Sequence, residues 1–347
     1  MPFDRIQRRS LPLTTAPTSV EPLPSVSKAL GRDVWIKRDD RSSTAYGGNK
    51  PRKLAFALAE ALDRNARAVI TMGAYGSHHC LATAIHAAPL GLEVHLVVAP
   101  QPVNEHVENN VRLDLAHGAT LHVARNPVDV AWKTWRLRRA LARSGRAPFV
   151  VSPGGSSAAG SLGYVQAGLE LAEQVARGEM SKPEEIVVAF GSGGTVGGLA
   201  LGLVLAGMPV PIRAVRVAPP PLSNRFWLRG LLKRTAELVT KRRPEAAELA
   251  TNALALVHLE PGHLGVGYGV PTSAGERATA LAAEDGIHLD PTYTAKAFAG
   301  LVARAPSVGA GPILFWHTLS SVSLDASLAN APPAPAWLSA GTALSRR

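Results

Sequence analysis

Short runs rich in β-branched residues alternate with longer amphipathic stretches along most of the chain, and no other feature limits the possible folds as much. Val34–Lys37 reads as a strand. A helical pattern follows over Arg52–Asn65, where Leu54, Leu58 and Leu62 recur at four-residue spacing. Ala68–Thr71, Glu93–Val98, Thr120–Val123 and Phe149–Val151 read as further strands, separated by helical patterns over Cys80–Pro89, Glu105–His117 and Val128–Arg143. A glycine-rich stretch, Gly154–Gly163, precedes a helix over Tyr164–Arg177. The remainder holds strand Glu185–Phe190, helix Thr195–Ala206, strand Ile212–Val217, a helix near Phe226–Thr240, helices Ser273–Glu284 and Tyr293–Arg304, and strand Ile313–Trp316. Repeated strand–helix units build open, twisted, mostly parallel sheets with helices on both faces, an α/β fold. The tail from Ala331, which opens with Pro332, Pro333 and Pro335, is expected to pack poorly.

A chain of 347 residues fits two domains, and 46% apolar residues suffice for a large core. The formal charge of +11 raises the question of nucleic acid. Arginine is spread along the chain, however, and its clusters at Arg136–Arg143 and Lys233–Arg243 fall on helical patterns with no nucleic-acid motif beside them. Aromatics, at 5%, are too few for base-stacking platforms. The basic surplus suits an anionic small molecule instead. One cysteine, Cys80, allows neither an internal disulfide nor a multi-thiolate metal site. Arg5, Arg8 and Arg9 are not followed by an apolar segment, and no apolar run reaches about 18 residues, so neither a secretory signal nor a membrane span is expected. The expectation is a cytoplasmic protein without nucleic-acid or membrane partners.

Open parallel sheets bind ligands at the loops leaving the strands' carboxyl ends, and four such regions are rich in small or polar groups. Gly47-Gly48-Asn49-Lys50 leads straight into a helix; a lysine beside two glycines is open to a bulky partner, as a nucleophilic amine requires, although a turn lysine is the bland alternative. Gly191-Ser192-Gly193-Gly194-Thr195 exposes backbone N–H groups at a helix start, where a phosphate can sit; such a loop is as often only structural. It is not a dinucleotide fingerprint, since Val196 stands where the third glycine belongs. The third region is Gly73–Cys80. Adjacent side chains on a helix diverge, so His78 and His79 do not form a metal pair, and Ser77 with the helix-start amides suits a carboxylate. The fourth combines Gly267-Tyr268-Gly269, Asp290-Pro291-Thr292-Tyr293-Thr294 and His317-Thr318, whose tyrosines and threonine offer acid/base groups and ring contacts.

In order and spacing these segments resemble the D-cysteine desulfhydrase / 1-aminocyclopropane-1-carboxylate deaminase family of pyridoxal-phosphate enzymes, over about Trp35 to Thr318. Trp35-Ile36-Lys37-Arg38-Asp39-Asp40, followed by Gly47-Gly48-Asn49-Lys50-Pro51-Arg52-Lys53-Leu54, looks like the family's cofactor-lysine signature. Gly154-Gly155-Ser156 with Gly163-Tyr164 also matches. The resemblance implies pyridoxal 5′-phosphate in the type II, tryptophan-synthase-β fold, with 1–53 plus 164–347 as a large domain and 54–163 as a small one inserted in it. Lys50 is then the lysine that binds the cofactor covalently, while Lys53 and Gly191, Ser192, Gly193, Gly194 and Thr195 hold its phosphate. Ser77 faces the substrate and helps move its α-proton. His78 and His79 lie on the substrate side with it, and His78 also reaches the cofactor. Tyr268 and Tyr293 flank the substrate, and Thr318 meets the pyridine nitrogen. No metal is implied.

Two departures bear on substrate choice. The family usually has asparagine where this chain has His78, and a glycine pair where it has Leu319-Ser320. The deaminase branch carries a glutamate after the second tyrosine and a leucine after the late histidine; Thr294 and Thr318 resemble the desulfhydrase branch instead. The implied activity is α,β-elimination on a small amino acid with a β-leaving group, such as D-cysteine, giving pyruvate and ammonia. Cysteate sulfo-lyase, cyclopropane ring opening, biosynthetic β-replacement and amino-acid binding without turnover are the alternatives. A homodimer is expected.

Overall fold

The computed structural model describes residues 8–220, 222–240, 244–307 and 309–338; Arg5 and the 241–243 end of the second basic cluster lie outside them. The elements run β1 (Val20–Pro22), α1 (Pro24–Leu30), β2 (Val34–Lys37), α2 (Asn49–Asp63), β3 (Ala68–Ala74), α3 (His78–Ala87), β4 (Glu93–Ala99), α4 (Glu105–Ala116), β5 (Thr120–Val123), α5 (Pro127–Arg143) and β6 (Pro148–Val150). They continue with α6 (Ala158–Ala176), β7 (Glu185–Phe190), α7 (Gly194–Leu205), β8 (Ile212–Arg216), α8 (Arg225–Val239), α9 (Glu245–Ala255), β9 (Val257–Glu260), α10 (Ser273–Ala283), α11 (Thr294–Arg304), β10 (Ile313–Trp316) and α12 (Asp325–Ala329). Among the described residues no helix is long and apolar enough to cross a membrane.

The described residues form two compact units, the larger from residues 14–53 and 156–321, the smaller from 9–13, 54–155 and 322–338. The larger holds a six-stranded sheet in the order β1-β2-β10-β7-β8-β9, parallel except where β1 meets β2. The smaller holds four parallel strands in the order β5-β4-β3-β6. In the larger sheet β10 lies between β2 and β7, with Trp316 beside Lys37 and Phe315 beside Val187. The loops leaving these three neighbouring strands are therefore 38–48, 317–320 and 191–193, at one edge of one sheet. Val34, Ile36, Val187, Val215, Phe298 and Phe315 pack the core on which this edge rests.

The units differ from the sequence-based division in three places, the first being residues 9–13, which join the smaller unit. Residues 156–163 belong to the larger unit, because α6 begins at Ala158 rather than Tyr164; the Ser157 hydroxyl accepts the Gly160 N–H at 3.0 Å and caps it. Glycine here serves packing rather than a loop, since a Cβ on Gly163 would lie 1.9 Å from the Arg52 carbonyl oxygen. Residues 322–338 join the smaller unit and are packed, contrary to the expectation for the tail, whose remainder from residue 339 lies outside the described residues. Arg112 of α4 donates to the carbonyls of Leu328, Ala331 and Pro332, and the Trp337 ring lies 5.0 Å from that of Tyr75.

Beneath the sheet edge sits a buried ionic network. Arg52 donates to both Asp39 oxygens and to both Glu170 oxygens, between 2.8 and 3.1 Å. Lys37, wholly buried on β2, donates to Glu170 at 2.6 Å, to the Thr18 carbonyl at 2.6 Å and to Gln174. Asp39 also accepts from the Tyr164 hydroxyl at 2.6 Å, the Trp316 indole N–H at 2.8 Å and the Thr18 hydroxyl at 2.9 Å. Burial alone would raise the Glu170 pKa from 4.5, but the charges of Arg52 and Lys37 and their hydrogen bonds bring it to about 2.

Removing one partner of a buried pair leaves the others charged and unsatisfied, so Asp39→Ala is expected to cost about 3–5 kcal/mol in denaturant unfolding. Glu170 ionised in the fold adds stability that is complete above pH 4.5 and disappears as pH falls from there toward 2. Chemical unfolding of wild type and Glu170→Gln across that window should show a pH dependence that is weaker in the variant.

Candidate active site

The chain leaves β2 through Asp39–Arg41 and returns to start α2 at Asn49. Both glycines before that helix are required by close approach. A Cβ on Gly47 would lie 2.1 Å from the Asp40 carbonyl oxygen, and Gly48, at φ +80°, would place one 2.5 Å from the Thr318 carbonyl oxygen. Backbone hydrogen bonds fix the turn: Gly48 N–H to the Asp39 carbonyl at 2.7 Å and Asn49 N–H to the Thr318 carbonyl at 3.1 Å. Lys50 thus starts α2 from a turn tied to the strands on either side.

The Lys50 amine donates to the Asn49 side-chain oxygen at 2.6 Å and stands 5.9 Å from the Tyr293 ring centroid. Burial lowers its pKa from 10.5 to about 8, with the Asp290 charge opposing the shift. Lys53, one turn further along α2 and buried, is held well below the usual range by burial and by the Lys50 charge. Two buried amines so close together favour an anion beside them.

An anion cradle stands next to them. Side chains cap the N-termini of α3, α4, α5, α6, α8 and α10, whereas α7, like α1, α9, α11 and α12, has no side-chain cap, and the residue before it is Gly193 at φ +92°. Apart from the Gly194 N–H, which a neighbouring hydroxyl takes up, the first turn of α7 presents its N–H groups and the positive end of its dipole to an anion. Gly194 N–H donates to Ser156 Oγ at 3.0 Å, and that hydroxyl lies 2.7 Å from Ser192 Oγ. The Asn49 side-chain amide donates to Thr195 Oγ1 at 3.0 Å, which ties the start of α2 to the start of α7. An amine depressed toward neutrality, a second buried lysine and an uncapped glycine-rich helix start fit an aldehyde cofactor that carries a phosphate.

Tyr268 and Tyr293 are hydrogen-bonded through their hydroxyls, with rings edge to face at 5.9 Å. Asp290 holds Tyr293 in place by accepting the N–H groups of Thr292, Tyr293 and Thr294 at 3.0, 2.8 and 2.9 Å. The Thr294 hydroxyl is engaged there too, donating to Asp290 at 2.7 Å. Thr318 follows His317, which is buried at the end of β10 and whose pKa burial brings down to about 4.

Ser77, His78 and His79 belong to the smaller unit. Ser77 caps α3, its hydroxyl accepting the N–H groups of His79 and Cys80 at 3.3 and 3.4 Å. The two histidines diverge. The His78 ring lies 4.8 Å from that of His106, whereas His79 is buried with Nε2 2.8 Å from the Thr71 hydroxyl. The His79 ring is thus engaged with Thr71 inside its own unit, and a substrate contact by it stays a proposal. Asn49, Ser156, Asp290 and Lys296 were not among the site residues read from the sequence. Asn49, Ser156 and Asp290 stand inside motifs visible in the sequence and were legible there; Lys296 shows its part only through its hydrogen bonds.

Comparison with known proteins agrees with this geometry. Residues 11–318 match the family model described as pyridoxal-phosphate dependent enzyme. The D-cysteine desulfhydrase of Salmonella choleraesuis (strain SC-B67) is 37% identical over 337 residues, covering 94% of this chain and 98% of that protein; the one from Salmonella paratyphi C (strain RKS4594) is equally similar. The crystal structure of an ACC deaminase homologue superimposes with a TM-score of 0.78 at 33% identity, covering 95% of this chain and 98% of that one. A fungal L-serine ammonia-lyase from Rhizomucor miehei shares the fold, with a TM-score of 0.62 at 21% identity, covering 92% and 98%.

Two outcomes follow from the site. Valine at Gly193 forces a β-branched residue into φ +92°, so Gly193→Val should lose bound cofactor on dialysis while wild type keeps it. An amine must be neutral to attack a carbonyl. Cofactor uptake by the apoprotein should therefore quicken as pH rises and level off above about 8; a rate still climbing toward 10.5 would contradict the depressed Lys50.

Proposed function

The chain belongs to the pyridoxal-phosphate-dependent enzymes, with the type II fold, and from that premise we propose that it eliminates the β-substituent of a small amino acid, as a D-cysteine desulfhydrase does. The observation that carries the proposal is the 37% identity to proteins named D-cysteine desulfhydrase across nearly the whole of both chains. When bound, the cofactor supplies an electron sink for charge developing at the substrate's Cα.

The chain's own residues supply the rest. Lys50, with a pKa lowered from 10.5 to about 8, has far more of its free amine near neutral pH than an ordinary lysine, which suits a group that takes a proton from Cα and returns it. Lys53 and the first turn of α7 neutralise and orient the phosphate. Tyr293, fixed by Asp290, and Tyr268, bonded to it, flank the substrate and offer hydroxyls toward the leaving group. Ser77 binds the substrate carboxylate and helps move the α-proton, and His78 stands beside it. Thr318 stands at the pyridine nitrogen, where a hydroxyl does not keep a proton on the ring as a carboxylate does. Prompt loss of a good leaving group suits that environment better than a long-lived carbanion.

Position 294 argues against cyclopropane ring opening. The deaminase branch has a glutamate there, whereas Thr294 is buried and its hydroxyl is spent on Asp290, leaving no free acid or base. For D-cysteine, elimination of sulfide followed by hydrolysis with one water gives pyruvate, ammonia and hydrogen sulfide. The same reading has the chain working as a cytoplasmic homodimer, which light scattering on the holoenzyme and cell fractionation test.

With purified holoenzyme, sulfide and pyruvate should appear fastest from D-cysteine among D-cysteine, L-cysteine, cysteate and 1-aminocyclopropane-1-carboxylate. Faster ring opening of the cyclopropane, or sulfite released from cysteate ahead of sulfide from D-cysteine, would overturn the assignment. Because a protonated imidazole at His78 would attract the substrate carboxylate, substrate affinity should weaken as pH rises and that proton is lost, and His78→Asn should flatten the dependence.

A further inference from the structure

Lys296 lies in the first turn of α11, and its side chain has no solvent exposure. A buried ammonium needs acceptors. It finds them in the twelve-residue loop 261–272 between β9 and α10, donating to the Leu264 carbonyl at 2.8 Å and to the Gly267 carbonyl at 3.2 Å. The loop has little else to define it. Gly262, Gly265 and Gly269 adopt φ of +98°, +69° and +76°, and the Val266 side chain is 92% exposed. Connections this long without secondary structure are uncommon in compact domains unless they carry function. This one carries Tyr268, directly after the second carbonyl that Lys296 holds.

The two tyrosines therefore have separate anchors, Asp290 four residues before α11 and Lys296 in its first turn. Asp290 fixes Tyr293 through backbone N–H groups, and Lys296 fixes the loop of Tyr268 through backbone carbonyls. We infer that Lys296 is a positioning residue, a cationic clamp that closes the 261–272 loop and brings the Tyr268 hydroxyl to Tyr293 on the substrate side of Lys50. This rests on the proposed place of Tyr268 and Tyr293 beside the substrate. Lys296 touches neither tyrosine hydroxyl and acts only through the loop. Its own pKa is lowered by burial, with Asp290 opposing, so the clamp weakens first on the alkaline side.

The test compares Lys296→Met, which keeps the length but loses the donors, with Lys296→Gln, which keeps an uncharged donor, in the cofactor-loaded protein. Hydrogen exchange should quicken at the amides of residues 264–268 in Lys296→Met and to a lesser degree in Lys296→Gln, with cofactor retention and visible absorbance unchanged. With D-cysteine, kcat/KM should fall about ten-fold or more in Lys296→Met, the size expected for one lost charge-assisted hydrogen bond. Tyr268→Phe should show a similar fall, and the double variant no more than the larger single loss, because both changes remove one arrangement. If Lys296→Met does not fold, Lys296→Gln carries the same comparison. Unchanged exchange at 264–268, or fully additive losses, would overturn the clamp and leave the tyrosines' role standing. Wild-type kcat/KM in Tyr268→Phe would instead remove the tyrosine from the proposed function, and the clamp's catalytic meaning with it.

Discussion

The Asp39 carboxylate is the constraint on which the rest of the larger unit depends. Its two oxygens accept from Arg52 on α2, Tyr164 on α6, the Trp316 indole at the end of β10 and the hydroxyl of Thr18. Two of these donors, Arg52 and Trp316, lie on elements that start or end at the site. Arg52 lies two residues after Lys50, and Trp316 two residues before Thr318. One carboxylate thus holds the amine and the proposed ring-nitrogen partner in a common frame, and Asn49 N–H bonded to the Thr318 carbonyl closes it. Replacing this set with apolar side chains of equal volume could serve stability as well, since buried ion pairs contribute little net free energy against desolvation. What the ions supply is direction: the angle at which α2 leaves the sheet and presents Lys50 is set by hydrogen bonds, which apolar packing does not specify.

The same physics explains the electrostatics above the network. Lys37, Arg52, Asp39 and Glu170 are closely compensated, so the carboxylates of the layer below are occupied. Lys50 and Lys53 have Asp290 as the opposing charge on Lys50, and burial lowers both. The result is an amine near neutrality beside an uncapped helix start, an arrangement that combines nucleophilic reach with demand for a phosphate. The basic balance of the chain, +11, reinforces that demand at long range.

Much of this was legible in the sequence. Hydrophobic periodicity located β2, β3, β4, β5, β7, β8 and β10 and the helices between them to within a few residues, and the glycines beside Lys50 and in 191–194 marked the loops where backbone must approach closely. Periodicity could not find β1, three residues long, or α9 and β9, whose alanine-rich pattern is ambiguous. Gly163 misled because a glycine demanded by helix packing looks like one demanded by a turn. The proline-rich tail misled for a related reason: its packing comes from Arg112 and Tyr75, more than two hundred residues away. Lys37 reads as an ordinary strand residue, and only Glu170 and Gln174, brought to it by α6, reveal it as a buried charge. Lys296 is the same case, since a lysine on an amphipathic helix gives no local sign that carbonyls of a distant loop surround it.

The central claim is that the turn at Gly47–Asn49, held by Asp39, makes Lys50 the amine that carries the cofactor. It is tested most directly by loading the protein with pyridoxal 5′-phosphate, fixing the amine linkage with borohydride and mapping the modified peptide by mass spectrometry. The account predicts the adduct on Lys50 alone. An adduct on Lys53, Lys296 or any other lysine would contradict it.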